Sequence, residues 1–321
     1  MDIGSGSKIA VLIPCYNEEL TINRVVSDFA CELPQAEIFV YDNNSTDATV
    51  KEAISAGAAV HYEYAQGKGH VVRRMFSEIE ADIYVLVDGD DTYPADAVKE
   101  MVRLVEEGRA DMVNGDRLSN GTYTSENKRR FHNFGNDLVR NTINLLFHSD
   151  IKDIMTGYRV FNRKFVKNFP VMSKGFEIET EMTIHALDKG YTVSEIPVLY
   201  RDRPEGSESK LNTFVDGFKV LNTIFEIFKD YRPMSFFGTL ALIVCFAGCL
   251  VGLPVIMDYI WFRYVYHVPL AILAAALEML SLNLLTCGLI LDTVAKNDRK
   301  NYELRLLDYG ASGYLHTEGH S

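Results

Sequence analysis

Positive charge is in short supply in this sequence. Its 44 acidic residues outnumber its 32 lysines and arginines, for a formal charge of −12. That balance argues against nucleic acid as the main partner. Cysteine is sparse as well. Cys15, Cys31, Cys245, Cys249 and Cys287 show no metal-site spacing, and three of them lie in apolar runs. Reduced, structural thiols are expected, not a zinc cluster or a disulfide frame. Tryptophan occurs once, at Trp261, and neither internal repeats nor low-complexity segments are evident. Met1 to Ser7 is short, polar and glycine-rich, so no signal peptide is expected there.

Charge also vanishes locally. Met234 to Met257 contains no charged residue, and Val268 to Leu291 contains one, Glu278. Each run is long enough to cross a bilayer core of about 30 Å. Lys229 and Arg232 precede the first run, and Lys296, Arg299, Lys300 and Arg305 follow the second. The connector from Asp258 to His267 carries Arg263 alone as a firm positive charge. The positive-inside rule therefore predicts an integral membrane protein with two spans, both termini and the soluble part cytoplasmic, and the connector outside. Glu278 and Asn283 suggest packing between spans or between subunits.

Ahead of the spans the chain alternates between strand-like and helix-like segments. Lys8 to Pro14, Glu37 to Tyr41, Ala58 to Tyr64, Ile83 to Val87 and Asp111 to Asn114 read as strands. Helices are expected to about Cys31, over His70 to Ile79 and over Lys128 to Phe147. The order implies βαβ units and a mainly parallel sheet. Between Thr213 and Tyr231, Phe214, Phe218, Leu221, Phe225 and Phe228 recur at helical spacing directly before the first span. This segment reads as an amphipathic helix lying on the membrane surface. The expected division is a soluble domain over 1–212, an interfacial helix over 213–233, a hairpin over 234–295 with spans near 234–257 and 268–292, and a cytoplasmic tail over 296–321.

The chemistry concentrates at strand ends. Asp88-Gly89-Asp90 follows the apolar run Ile83 to Val87, which sets two carboxylates at the edge where open α/β sheets bind ligands. Hard oxygen ligands suit Mg2+ or Mn2+, which in turn hold phosphates. Pro14 to Glu18, Asp42 and Lys68 fall at neighbouring strand ends. Lys68 stands in a Gly-Lys-Gly turn that could sit near phosphate.

The series Val11-Leu12-Ile13-Pro14-Cys15-Tyr16-Asn17-Glu18-Glu19, Tyr41-Asp42-Asn43-Asn44-Ser45-Thr46-Asp47 and Asp88-Gly89-Asp90 resembles the family 2 glycosyltransferases, which have a GT-A fold. With the two spans, the chain looks most like the polyprenyl-phosphate group, which includes dolichol-phosphate mannose synthases and bactoprenol glucosyltransferases. The resemblance covers roughly residues 8 to 295. It implies a nucleotide-sugar donor (UDP- or GDP-linked), a polyprenyl phosphate acceptor, a divalent ion and a homo-oligomer, some relatives being tetramers. By the same resemblance Pro14, Tyr16 and Glu18 line the nucleotide pocket, and Asp42 accepts hydrogen bonds from the base. Asp88, Gly89 and Asp90 flank the diphosphate, with Asp88 and Asp90 as metal ligands. Arg203 and Lys210 belong to a stretch that closes over the diphosphate. Arg117 matches a Gly-x-Arg position. Asp153-Ile154-Met155-Thr156-Gly157-Tyr158-Arg159 matches an Asp-x-x-(Ser/Thr)-Gly-(Phe/Tyr)-Arg motif, whose aspartate lies near the acceptor. Asp153, Arg117 and Asp90 are thus the expected catalytic residues, and Arg117, Arg129, Arg130 and Arg159 the expected holders of the acceptor phosphate. Asp153 could alternatively orient Arg159, and Glu177 and Glu179 could contact the sugar. The sequence departs from many relatives at Asn43, where they carry a second aspartate, and at Thr92, where some carry a glutamine ligand.

The expected reaction is inverting sugar transfer at the cytoplasmic face. Three other readings compete with it. A processive polysaccharide synthase would carry a Gln-x-x-Arg-Trp motif, which the lone Trp261 rules out. A flippase-associated membrane protein finds little support in two spans with one charge. A non-catalytic sugar-nucleotide-binding protein is disfavoured by the intact acidic motif, Arg117 and Asp153.

Overall fold

The computed structural model describes residues 6–119, 130–175, 177–201 and 225–317. The chain divides into two compact units, Met1–Gly217 and Phe218–Ser321.

The first unit is built on seven strands: β1 (Ile9–Cys15), β2 (Glu37–Asp42), β3 (Ala59–Tyr62), β4 (Ile83–Leu86), β5 (Met112–Asp116), β6 (Arg159–Asn162) and β7 (Val193–Pro197). They form one sheet in the order β3-β2-β1-β4-β6-β5-β7. Pairing is parallel throughout except at β6, which runs antiparallel to both β4 and β5. The sheet is therefore mainly parallel, as the βαβ alternation implies. The helices are α1 (Ile22–Glu32), α2 (Thr49–Ser55), α3 (Lys68–Glu78), α4 (Val98–Glu106), α5 (Arg130–Phe147), α6 (Arg163–Asn168) and α7 (Ile178–Asp188).

Both faces of the sheet are covered, which explains why the central strands are continuous apolar runs. Strand residues alternate between faces. Ile9, Val11 and Ile13 of β1 pack with Val25, Phe29, Val98 and Met101 from α1 and α4. On another aromatic seam Phe76 meets Tyr84, Phe161 and Phe169 edge-on.

The strand order fixes where ligands can enter. The chain leaves β1 toward β2 and β3, then crosses back to place β4 on the other side of β1. This reversal opens a crevice beyond the carboxyl ends of β1 and β4, the usual ligand position in open α/β sheets. The turns carrying Tyr16 to Glu18 and Asp88 to Asp90 are the two lips of that crevice.

In the second unit residues 225–231 are helical, followed by α8 (Pro233–Phe262) and α9 (Val268–Thr317). The earlier part of the expected interfacial helix, with Phe214, Phe218 and Leu221, lies outside the described residues. Both α8 and α9 contain stretches long and apolar enough to cross a membrane. Asp258 organises the connector, accepting hydrogen bonds from the backbone N–H groups of Tyr266 (3.0 Å) and His267 (3.2 Å). Glu278 lies against Gly248, where a Cβ would come within 2.6 Å of its Oε1, and Cys249 Sγ donates to the same oxygen at 3.5 Å. The carboxyl group is thus part of the contact between the two helices. Helix α9 does not stop where its apolar stretch ends at Leu291. It continues through the segment read as a tail, because neither glycine nor proline interrupts Asp292 to Tyr309.

Candidate active site

The β1 and β2 turns are stitched to each other by side-chain bonds to backbone N–H groups. Asn17, in the left-handed region at φ 53°, accepts from Thr46 N through Oδ1 (2.8 Å). Glu18 N donates to Thr49 Oγ1 (2.8 Å), and Asn17 N to Ser45 Oγ (2.9 Å). Pro14, Tyr16 and Glu18 are half-buried on this lip. Asp42 closes its floor. One of its oxygens accepts from Ser45 N at 3.1 Å, and the other, Oδ1, is buried without a hydrogen-bond partner among the described residues. A buried acceptor left unmatched is costly unless a ligand donor completes it.

Asn43 gains a physical reason. Its amide nitrogen donates to Glu63 O (2.7 Å) and Ala65 O (2.9 Å), and its Oδ1 accepts from Gly67 N (2.8 Å). An aspartate has no donor for two carbonyls. The amide therefore holds the loop that leads into Lys68.

Asp88 stands two residues past the end of β4. Lys68 Nζ donates to its Oδ1 at 2.5 Å and to Glu179 Oε1 at 2.6 Å. Burial works against the Lys68 ammonium, but the two carboxylates outweigh it and hold its pKa well above the lysine range. Burial also pushes the Glu179 carboxyl up, against the pull of Lys68. The other Asp88 oxygen rests against Gly157, where an added Cβ would strike it. Gly89 is required by close approach, since its Cβ would meet Cys15 Sγ at 2.7 Å. Asp90 is buried, and its Oδ1 accepts from Thr92 Oγ1 (2.6 Å) and Thr92 N (3.2 Å). Thr92 thus orients Asp90. The next residue, Asp91, has a left-handed φ of 57° and pairs with Arg24 at 3.0 Å.

Arg117, one residue past β5, grips Asp153 in a fork. Nε donates to Oδ2 at 2.7 Å and Nη2 to Oδ1 at 2.8 Å, while Arg117 N also donates to Oδ2. Asp153 is in turn placed by its own N–H, which donates to Glu195 Oε1 at 3.0 Å. The guanidinium lies over Tyr200 and Tyr93, with ring centroids at 5.6 and 5.9 Å. The Tyr93 hydroxyl accepts from Gly157 N at 3.0 Å. Tyr93 and Gly157 therefore connect the Arg117 fork to Asp88.

Two expectations need correcting. Arg159 does not face the acceptor: it has no exposed surface, and burial lowers its pKa to about 10. Its guanidinium donates to the carbonyls of Ile154, Thr156 and Glu179 and to Thr183 Oγ1. It is a strut tying the 154–156 loop to α7. Asp153, correspondingly, orients Arg117 and not Arg159. Glu177 is exposed, and Glu179 is engaged by Lys68. Arg129, Arg203 and Lys210 lie outside the described residues, as does the side chain of Arg130.

Sequence reasoning missed the Lys68–Glu179 contact, the Tyr93–Tyr200 platform and the Glu195 support. None has a local signature, since each joins positions far apart in the chain.

Residues 10–169 match the family described as Glycosyl transferase family 2. Glycosyltransferase AglJ of Haloferax volcanii is 31% identical over 297 residues, covering 91% of this chain and 95% of that protein. The chain belongs to glycosyl transferase family 2. A second relative of this glycosyltransferase, the Dolichyl-phosphate hexose transferase of Haloferax volcanii, is 28% identical and covers 70% of this chain and 95% of its own length. Among solved structures, glucosyl-3-phosphoglycerate synthase from Mycobacterium tuberculosis, determined with Mn2+, UDP and phosphoglyceric acid, superimposes with a TM-score of 0.53. It is 21% identical and covers 68% of this chain and 79% of the other. The likeness establishes the GT-A fold for the glycosyltransferase's first unit.

Proposed function

We propose that this glycosyltransferase moves a hexosyl group from a nucleoside diphosphate sugar to polyprenyl phosphate at the cytoplasmic face of a membrane, with inversion at the anomeric carbon. The observation that carries this reading is the crevice at the β1/β4 switch point. There the paired carboxylates Asp88 and Asp90 are joined through Gly157 and Tyr93 to the Arg117–Asp153 fork. An anion-binding group and a cation-binding group at one rim suit a reaction between two phosphate-bearing partners. Two membrane-length helices and the dolichyl-phosphate relative support a lipid acceptor.

Asp88 and Asp90 offer hard carboxylate oxygens one residue apart, a donor set that fits Mg2+ or Mn2+. Such an ion, when bound, supplies Lewis-acid stabilisation of the departing diphosphate. The protein's own residues do the rest. The unmatched Asp42 Oδ1 accepts an N–H from the base, and Pro14, Tyr16 and Glu18 enclose the nucleoside. Asp153 fixes the plane of the Arg117 guanidinium, which orients the acceptor phosphate. That phosphate is largely ionised near neutral pH, with a second pKa of about 6, so no strong base is needed. Its oxygen forms the new bond to the anomeric carbon. The bond to the nucleoside diphosphate breaks, and the leaving group takes the electron pair. Arg203 and Lys210 are assigned to the departing diphosphate and Arg129 and Arg130 to the lipid phosphate. The assembly is a homo-oligomer.

Purified full-length protein, polyprenyl phosphate, Mn2+ and a panel of UDP- and GDP-sugars provide the test. One donor should yield an acid-labile lipid-monophosphate sugar. Folded protein that makes no lipid-linked product from any donor would refute the reading.

A further inference from the structure

Lys68 is rooted with unusual firmness. Gly67 adopts a φ of 132°, and a Cβ on Gly67 or Gly69 would collide with the backbone carbonyls of Lys174 and Ser173. Gly69 N also donates to Lys174 O at 3.1 Å. The two glycines let the first turn of α3 press directly on the 173–174 backbone. From this fixed root the Lys68 side chain reaches two carboxylates at once, Asp88 at 2.5 Å and Glu179 at 2.6 Å. The Lys68 and Glu179 side chains are each 8% exposed, whereas that of Asp88 is 28% exposed. The cation thus bridges a partly exposed carboxylate and a buried one.

A divalent ion and an ammonium repel when they share one carboxylate. That repulsion favours an ammonium that yields Asp88. Yielding it removes one close carboxylate from a buried ammonium, and losing such a partner is unfavourable. Glu179 removes that obstacle, because it is already in contact and keeps the ammonium paired. We propose that Lys68 is a resident counter-ion for Asp88, and that Glu179 is the positioning residue that draws it aside when a divalent ion binds. The Lys68–Glu179 pair thereby sets the metal affinity of the Asp88-Gly89-Asp90 turn. The inference rests on the metal role proposed above.

The arrangement predicts effects of opposite sign. Full-length protein in detergent is titrated with Mn2+ alone, and free Mn2+ is followed by electron paramagnetic resonance. Binding abolished by Asp90→Ala locates the ion at the turn. Relative to the parent protein, Lys68→Met should bind about tenfold tighter and Glu179→Gln about tenfold weaker, the size of a coupling of about 1.4 kcal/mol. Because Glu179 acts through Lys68, the double variant should bind like Lys68→Met. It also leaves neither group as an unpaired buried charge. If Lys68→Met alone fails to fold, the double variant should still bind roughly a hundredfold tighter than Glu179→Gln. A Glu179→Gln effect that persists undiminished without Lys68 would show a general field and overturn the inference. So would unchanged affinity in both single variants, with parental binding intact. No Mn2+ binding by the parent protein, with or without UDP, would remove the metal role itself and this inference with it.

Discussion

Two ends of one loop, residues 153–159, carry charge in opposite ways. At its start Asp153 holds Arg117 by a two-point fork beside Tyr93 and Tyr200, where the guanidinium remains partly exposed. At its end Arg159 is sealed in the interior, and carbonyls, a hydroxyl and a thioether surround it. Both arginines were expected at the acceptor phosphate, and both have the same chemistry. What separates them is the strand that delivers them. Arg117 follows the last residue of β5 and emerges at the rim. Arg159 opens β6 opposite Asn114 and Leu86 and is carried under the loop.

The largest effect that sharpens this contrast is expected for Arg159→Leu. Three buried carbonyls each lose a hydrogen bond from the guanidinium, so stability should fall by roughly 4 kcal/mol. A thermal melt of the variant should drop by more than about 8 °C. Arg117→Lys keeps a charge near Asp153 but loses the fork. Transfer to polyprenyl phosphate should fall about 100-fold, with kcat taking most of the loss. Its melting temperature should move by less than about 4 °C. Equal drops in melting temperature for the two variants would break the comparison.

Gly157→Ala probes the middle of the same loop. Its methyl group would collide with the Asp88 carboxylate, so Mn2+ affinity should weaken about tenfold, a loss of about 1.4 kcal/mol. Unchanged affinity in a calorimetric titration would show that Asp88 relocates without consequence. The smallest effect belongs to Tyr93→Phe. It removes the acceptor for Gly157 N but leaves the ring under Arg117, so about 1 kcal/mol of stability should be lost. A melting shift of roughly 2–4 °C, with Arg117-dependent transfer preserved, is the expected result.

The legible parts of this molecule are those whose physics is local. Strands β1, β2 and β4 were readable because inner strands of such a sheet are short, largely apolar runs that end at polar turns. Asp42, Asp88 and Asp90 were readable because they sit at those ends. Strand β6 was not: it has four residues, begins with an arginine, and is antiparallel in a parallel sheet. The division of labour between Arg117 and Arg159 was equally hidden, since each follows an ordinary motif and only burial tells them apart. The Lys68–Glu179 contact spans 111 positions of the chain, and no periodicity or spacing announces it. In α9 the apolar stretch points to a segment ending near Leu291, but helix formation depends on the backbone and runs on past that point.

The strand order is also a timetable. Strands β1 to β4 pair among themselves, so residues 9–86 complete half of the sheet without help from later sequence. Strand β5 has to wait, because its neighbours are β6 and β7, synthesised afterwards. Asp88 therefore leaves the ribosome well before Gly157 and Glu179. At about 5–20 residues per second the interval to Glu179 is roughly 5–18 s. During that time both lips of the nascent crevice exist, and Lys68 has Asp88 without Glu179.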